Sequence, residues 1–518
     1  MPSARQWTLV ATIIGSSLTF IDATVVNVAL PALQADLHAT ITDLQWVIEA
    51  YALFLGSLIL VGGSMGDQFG RRRVFLIGVL IFTLASIACG LAASTRALIV
   101  ARAIQGAGAA LLVPGSLAII SATFDDAERG GAIGTWSGFS AITSAIGPVV
   151  GGWLIEHISW RAIFFLNVPL AAVVMVLSLR FMGESRDDTR GSRVDWTGAA
   201  LAVIGLGGMT YGLLEGPRPG ASPSLVLTAI AAGIVALAAF VIVERRVSSP
   251  MLPMGLFRSR TFTLANVLTL LLYGGLGTML WLVPLNLIQV QHYTATAAGA
   301  AFLPFPILMF LLSRWSGGLV ARVGSRLPLT VGPIVAAVAL ALYARPEIGG
   351  SYWTTFFPPV VIGGFGMAIV VAPLTTTAMT AVETQHAGVA SGVNNAFARV
   401  AGLIAIAIFG IVLVRAFDAR VGPALDQLRL PAAARAALDR EMPKLAGATI
   451  DPSLETAQRA GVQRAIDVAF VSAFRLVMMA TALLALAAAA AGALIRQQPR
   501  ALERGSQAMA HPGGTTSQ

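Results

Sequence analysis

The sequence predicts an all-α membrane protein of fourteen transmembrane helices. Three observations carry that reading. The composition is overwhelmingly apolar, it falls into runs of bilayer length, and arginine is concentrated in the segments between alternate runs. Of the 518 residues, 56% are hydrophobic and 11% charged, and the mean hydropathy is +0.79. Soluble domains carry roughly a quarter charged residues. A chain this apolar needs many spans, each of about 20 residues.

Apolar runs divided by charged or Gly/Pro segments place the spans at 7–30, 47–66, 74–93, 97–121, 132–155, 163–181 and 196–214. The others fall at 225–243, 262–289, 297–320, 327–344, 354–380, 388–417 and 469–495. The first run is too long for the apolar core of a signal peptide and reads as a span. With the amino terminus in the cytoplasm, Arg5, Arg71 to Arg73, Arg129, Arg180, Arg186, Arg190 and Arg193 fall inside. So do Arg245, Arg246, Arg258, Arg260, Arg322, Arg326 and the tail residues Arg496, Arg500 and Arg504. The short outer loops hold chiefly Arg96, Arg218 and Arg345. This is the positive-inside pattern. It predicts a multi-pass membrane protein with both termini in the cytoplasm, and the near absence of lysine suggests a GC-rich bacterial genome and so the bacterial cytoplasmic membrane.

Composition excludes several function classes. The net charge of +9 is almost all arginine, with Lys444 the single lysine. Because the arginines cluster in loops between spans, they orient the chain and do not mark a nucleic-acid partner. A single cysteine, Cys89, excludes an internal disulfide or a cysteine metal cluster, and the five histidines are scattered. No nucleotide-cradling loop is present, so no metal, cofactor or enzymatic activity is expected. The glycines at Gly205 to Gly208 and Gly363 to Gly366 lie in apolar runs and predict close helix packing. The 418–467 stretch is mixed in charge, falls outside, and suggests one or two short amphipathic helices. It either caps the exterior or docks a periplasmic adaptor protein. The polar tail 496–518 reads as disordered.

An internal echo organises the chain. Gly63-Ser-Met-Gly-Asp67-Gln-Phe-Gly70-Arg71-Arg72-Arg73 follows the second span, and Gly317-Gly-Leu-Val-Ala321-Arg-Val-Gly324-Ser-Arg326 follows the tenth. The match predicts two six-helix bundles, 1–181 and 247–495, separated by a linker at 182–246 with two extra spans. Parallel halves of this kind place substrate near the midplane between them.

These residues resemble the major facilitator superfamily. The Gly63, Asp67, Gly70, Arg71 and Arg72 loop is similar to the family motif G-x-x-x-D-x-x-G-R-[RK], with Gln68 where a basic residue is usual. Ile21-Asp22-Ala-Thr24-Val-Val-Asn27-Val-Ala29-Leu30-Pro31 resembles the L-D-x-T-V-V-N-V-A-L-P signature of the fourteen-helix drug:proton antiporters. Arg102-Ala-Ile-Gln105-Gly106-Ala-Gly108 looks like R-x-x-Q-G-x-G, and Gly147-Pro148-Val-Val-Gly151-Gly152 like the antiporter motif G-P-x-x-G-G, with Thr143 replacing a frequent glycine. Trp160-Arg161 through Asn167-Val168-Pro169 also fits the branch. The resemblance spans essentially the whole chain. It implies a monomeric exporter of mostly hydrophobic or cationic drug-like molecules, driven by the proton gradient and conferring multidrug resistance. A narrow exporter of one metabolite or antibiotic is the alternative.

The residues suggest roles in that frame. Asp22, inside an apolar run, needs either a proton or a cationic partner, because a bare carboxylate there costs at least ~2.5 kcal/mol. Arg102 must face the bundle and is the natural partner. Glu49 is either a third proton-coupling group or a solvated helix end beside Trp46. Gly147, Pro148, Gly151 and Gly152 have no ionisable group, so their role is mechanical: pliability and close helix approach. Asp67 with the following arginines suggests a cytoplasmic latch. Asn27, Tyr51, Gln105, Trp281, Asn394, Asn395 and Arg399 are candidates for the substrate cavity. Tyr273, Phe302, Phe305 and Phe310 are candidate aromatic walls.

Overall fold

The computed structural model describes residues 3–186, 194–216, 218, 220–247, 250–382 and 387–495. Every regular element among them is helical. The first part contains α1 (Ala4–Leu37), α2 (Ile41–Phe69), α3 (Arg71–Gly90), α4 (Thr95–Thr123), α5 (Asp126–His157), α6 (Ala162–Phe165) and α7 (Asn167–Phe181). Next come α8 (Trp196–Glu215) and α9 (Pro223–Arg246). The last part contains α10 (Arg260–Leu285), α11 (Ala295–Ala301), α12 (Pro304–Gly317), α13 (Leu319–Val323) and α14 (Arg326–Leu342). It ends with α15 (Tyr352–Thr355), α16 (Phe357–Thr380), α17 (Ala387–Gln427), α18 (Ala432–Glu441) and α19 (Thr456–Ala493).

Twelve of these helical stretches are long and apolar enough to cross a membrane, with α6–α7 and α11–α12 each acting as one. Two more coincide with expected spans: α5, with 32 residues, and α14, a shorter apolar helix of 17. Local signals start the helices where the chain needs them. Ser3 with Gln6 and Thr40 with Asp43 form reciprocal capping boxes that satisfy exposed backbone N–H groups. Gly70 (φ 105°) and Gly324 (φ 77°) both take positive φ, and each separates two helices at the echoed loops. A side chain is strained there, which is why glycine recurs at both places.

The packing repeats between the first and last parts. In the first part α2 and α3 pack on α4, α1 packs on α5 and α7, and α3 on α7. In the last part α12 and α14 pack on α16, α10 packs on α17 and α19, and α14 on α19. Each pair has its counterpart. The halves then meet through α5 with α11 and α12, and through α2 with α17. The inserted α8 and α9 pack on each other, and α8 leans on both α2 and α17. The inserted pair is close because Gly205 lies against Leu237 and Gly208 against Gly233; likewise Gly364 lies against Phe305 and Gly366 against Ala336.

Some helices overrun their sequence boundaries. The span expected at 388–417 continues to Gln427, and that expected at 469–495 begins at Thr456. Hydropathy ends where charged residues begin, but backbone hydrogen bonding does not. The 418–467 stretch is therefore largely helix. Between its helices, a 3-10 turn at Met442–Gly447 packs against α18 and folds back over the ends of α1 and α2. Gln34 of α1 donates to the Lys444 carbonyl at 3.1 Å, and Gln289, just beyond α10, donates to Gln34 at 2.7 Å. The turn thus bridges both halves, with Leu445 buried beneath it at φ 53°. Arg190, Arg193 and the tail 496–518 lie outside the described residues.

Candidate functional site

The first half holds a buried charge network assembled by α1, α2, α3 and α4. Asp22 of α1 is 4% exposed and Arg102 of α4 is 1% exposed. The Arg102 Nη1 donates to Asp22 Oδ2 at 2.5 Å and to Gln105 Oε1 at 2.7 Å. Gln105 Nε2 returns a bond to Asp22 Oδ1 at 2.9 Å and reaches Ser86 at 3.3 Å. The Arg102 Nε donates to the Val47 carbonyl of α2 at 3.1 Å, and its guanidinium lies 4.2 Å from the centre of the Tyr51 ring. Gly106 makes this possible: any side chain there would strike the Tyr51 backbone, so α4 and α2 approach closely enough for the arginine to reach. Two buried ions survive in such a place only when their remaining hydrogen-bonding groups are met. Here both carboxylate oxygens of Asp22 are.

Sequence reasoning named Asp22 and Arg102 but not the groups behind them. Ser86 accepts from Asn167 at 2.9 Å and donates to the Phe164 carbonyl at 2.9 Å, tying α3 to the α6–α7 break. The signal was present in the Asn167-Val168-Pro169 motif, whose role the motif alone does not state. Gln105 was expected to line the substrate cavity; it is fully buried and spends its amide on Asp22.

Glu49 is a different case. The reading of a solvated helix end does not fit: Glu49 is 0% exposed, and neither carboxylate oxygen has a hydrogen-bond partner. The reason is that α17 covers this stretch of α2, one turn away from where Gln45 donates to the Ile406 carbonyl at 3.0 Å. An unpaired ionised carboxylate in such surroundings is very costly. Gaining or losing one proton there strongly changes the energy of the α2–α17 contact. Trp46, beside Glu49 in α2, donates to Glu215 at the end of α8 at 2.9 Å, so it pins the inserted pair.

The glycine-proline motif of α5 faces two ways. A methyl added at Gly147 would meet Thr24 Oγ1 at 2.5 Å, and one at Gly151 would meet Val25 at 2.7 Å, both on α1. Gly152 instead abuts the Ala295 backbone of α11, and the Pro148 carbonyl abuts Gly299. One turn of helix therefore packs without side chains against its own half and against the opposite half.

At the loop between α2 and α3, Arg71 donates twice to Asp67 at 3.0 and 2.8 Å. Gly63 packs against Pro114 of α4. The backbone N–H groups of Arg72 and Arg73, at the start of α3, are capped by Glu184 from beyond α7 at 3.0 and 3.2 Å. Glu184 was missed, since a cap supplied from a distant segment leaves no local pattern. The Arg72 guanidinium donates to the Leu179 carbonyl at 2.9 Å.

The remaining candidates separate. Asn27 is half-buried and donates to the Ala23 carbonyl of its own helix at 3.0 Å. Asn394 is buried and donates to Asn266 at 3.2 Å and to Thr269 at 2.6 Å, holding α17 to α10. Asn395 is exposed, and Arg399 and Tyr273 are half-buried. Trp281 is sealed in the core, enclosed by neighbouring side chains. Phe302 is buried, Phe305 partly so, and Phe310 exposed.

Comparison with known proteins agrees with this geometry. A family model described as Major Facilitator Superfamily matches residues 12–406. The chain is 36% identical over 432 residues to the multidrug resistance protein Stp of Mycobacterium tuberculosis, covering 82% of this chain and 79% of that protein. It is 32% identical to the tetracenomycin C resistance and export protein of Streptomyces glaucescens, covering 79% and 76%. It is 35% identical to the puromycin resistance protein pur8 of Streptomyces alboniger, covering 79% and 82%. Among solved structures, a bacterial homologue of the human lysosomal transporter Spinster, inward-facing and unoccupied, matches with TM-score 0.67 at 18% identity, covering 96% and 97%. With paired helix bundles, a buried intramembrane ion pair and these relatives, the chain belongs to the Major Facilitator Superfamily.

Proposed function

We propose that this protein is a proton-coupled exporter of drug-like, largely hydrophobic small molecules, that it confers resistance to them, and that it belongs to the fourteen-helix antiporter branch. The observation that carries the reading is the sealed Asp22–Arg102–Gln105 network with the unpartnered Glu49 one helix away. Protonating Asp22 removes half of an ion pair and frees Arg102. Protonating Glu49 removes the cost of an unpaired buried charge. Both events shift the balance between conformations that differ in how these helices pack, which is what a ligand-driven population shift requires. The α5 glycine motif supplies a side-chain-free contact on which the two halves can move.

The fourteen-span count is supported by α5 and α14, which take corresponding places in packing with the twelve longer apolar stretches. Both termini then lie in the cytoplasm. The relatives named for resistance to, or export of, antibiotics support export. The tetracenomycin C relative also keeps open a narrow exporter of one metabolite or antibiotic. The protein works without a cofactor and as a monomer in this reading, and the folded-back 442–447 turn favours a cap over an adaptor-docking loop.

The test is transport in proteoliposomes under an imposed pH gradient, following a panel of fluorescent drug-like dyes. Wild type should move dye only with the gradient. Asp22→Asn and Glu49→Gln should each abolish gradient-dependent movement, the second without loss of thermal stability. Normal gradient-driven transport by both variants would sink the coupling assignment.

A further inference from the structure

We infer that Asp195 and Glu244 form a proton-binding site of their own at one end of the inserted pair, hold a single proton between them, and through it fix the segment that leads into α10. The site lies apart from Asp22, Arg102 and Glu49, and the inference does not rest on the exporter reading.

The two acids come from the first and last turns of the inserted pair. Asp195 is the N-cap of α8, and Glu244 sits in the last turn of α9. The packing of α8 on α9 brings them together. Asp195 is 8% exposed and Glu244 2%. Each carboxylate spends one oxygen on a backbone N–H. Gly198 donates to Asp195 Oδ1 at 2.7 Å, and Leu252 donates to Glu244 Oε2 at 2.9 Å. The second oxygen of each, Asp195 Oδ2 and Glu244 Oε1, is buried and accepts no hydrogen bond. These two orphans face the same spot. A Cβ placed on Gly198 would meet Asp195 Oδ2 at 2.6 Å and Glu244 Oε1 at 2.7 Å. Only glycine leaves that spot open.

Two acceptors turned to one spot need a donor between them. Arg245 and Arg246 of α9, and Arg258 and Arg260 before α10, are exposed. At this end of the bundle α2 brings Asp67, which is bonded to Arg71, and α17 brings Arg399. Among the described residues none of these bonds to either free oxygen. No third acid, histidine or cysteine among them completes a metal site. The donor that remains is a proton. Two carboxylates that share a site cannot both ionise cheaply, so one keeps its proton and donates to the other.

The proton matters because of what Glu244 holds. Leu252 lies just before the 3-10 turn Met254–Arg258 that precedes α10, and Leu252 and Leu256 pack on the main apolar core. With the proton in place, one hydrogen-bonded chain runs from the Gly198 N–H through Asp195 and Glu244 to the Leu252 N–H. Without it, two buried like charges repel at the middle of that chain. The start of α8 and the segment at Leu252 therefore come apart as pH rises.

The experiment is a pH titration of the purified protein in detergent, followed by infrared difference spectroscopy from about pH 5 to about pH 9 at the C=O stretch of protonated carboxyls. Wild type should lose a band that neither Glu244→Gln nor Asp195→Asn contains. Because the proton is shared, both variants should lack the same band, and the double variant should lack no more than either. Amide exchange supplies the second readout. In wild type, exchange of peptides covering 250–258, corrected for its intrinsic pH dependence, should rise at least about tenfold across the titration. Glu244→Gln carries a permanent donor to Asp195 and should keep those amides protected throughout. Three results overturn the inference: no band that both variants lack, separate bands lost one per variant, or wild-type exchange that ignores pH. A band that follows added or chelated divalent metal instead of pH overturns it too. Should Asp195→Asn fail to fold for want of its cap, Glu244→Gln and the wild-type exchange profile decide it.

Discussion

The two halves share a packing plan and differ in chemistry. In the first half, three polar side chains from α1 and α4 form a sealed ionic network. In the second half the buried polar contact between α10 and α17 is neutral, made by Asn266, Thr269 and Asn394. Arg399 of α17 makes no ion pair among the described residues. The difference shows that the repeat preserves helix positions but not electrostatics. The ionic contact lies in one half and the neutral one in the other. Breaking the network should therefore affect stability and transport together, whereas breaking the neutral cluster should affect stability alone.

The largest effect is expected at the ion pair. Asp22→Ala leaves a buried guanidinium uncompensated and should cost about 3–5 kcal/mol. The measurement is thermal unfolding of the purified protein in detergent. Asp22→Ala with Arg102→Met should recover much of that loss, since removing both charges also removes their desolvation cost. Neither variant should transport. A double variant as unstable as the sum of its singles would show that the two residues do not act as a pair.

Next comes the α5 contact that joins the halves. Gly152→Val would drive a branched side chain into the Ala295 backbone of α11. Overpacking of this kind costs about 1–3 kcal/mol. It should slow transport at least about tenfold while Gly134→Val, in the same helix with open space around it, should not. Equal loss in both variants would mean that helix propensity, not the contact between halves, sets the effect.

Much of this was legible in the sequence, and the exceptions have physical causes. Asp22 and Arg102 are charges inside apolar runs, and only a partner makes them tolerable, so their meeting followed from burial alone. The paired loops at Gly70 and Gly324 were readable because positive φ demands glycine. Glu49 was not readable, since its burial depends on α17, far away in sequence. Gln105 and Asn394 are polar groups in apolar helices, and composition does not distinguish a group turned to substrate from one satisfied by a neighbouring helix. The ends of α17 and α19 escaped a hydropathy reading because their outer turns are amphipathic.

The smallest effect expected separates structural from functional polarity. Asn394→Leu removes two donated bonds and leaves Asn266 Oδ1 and Thr269 Oγ1 each without that donor. Each lost bond is worth about 0.5–1.5 kcal/mol net, partly offset by the added apolar surface. Unfolding should therefore shift by about 1–2 kcal/mol. Thr269 still donates to the Ala265 carbonyl at 2.9 Å and Asn266 to the Phe262 carbonyl at 2.9 Å, so the α10 side of the cluster keeps its orientation. Transport per folded molecule should stay within about threefold of wild type. A much larger loss of transport with unfolding unchanged would make the neutral cluster part of the substrate site instead of a brace between α10 and α17.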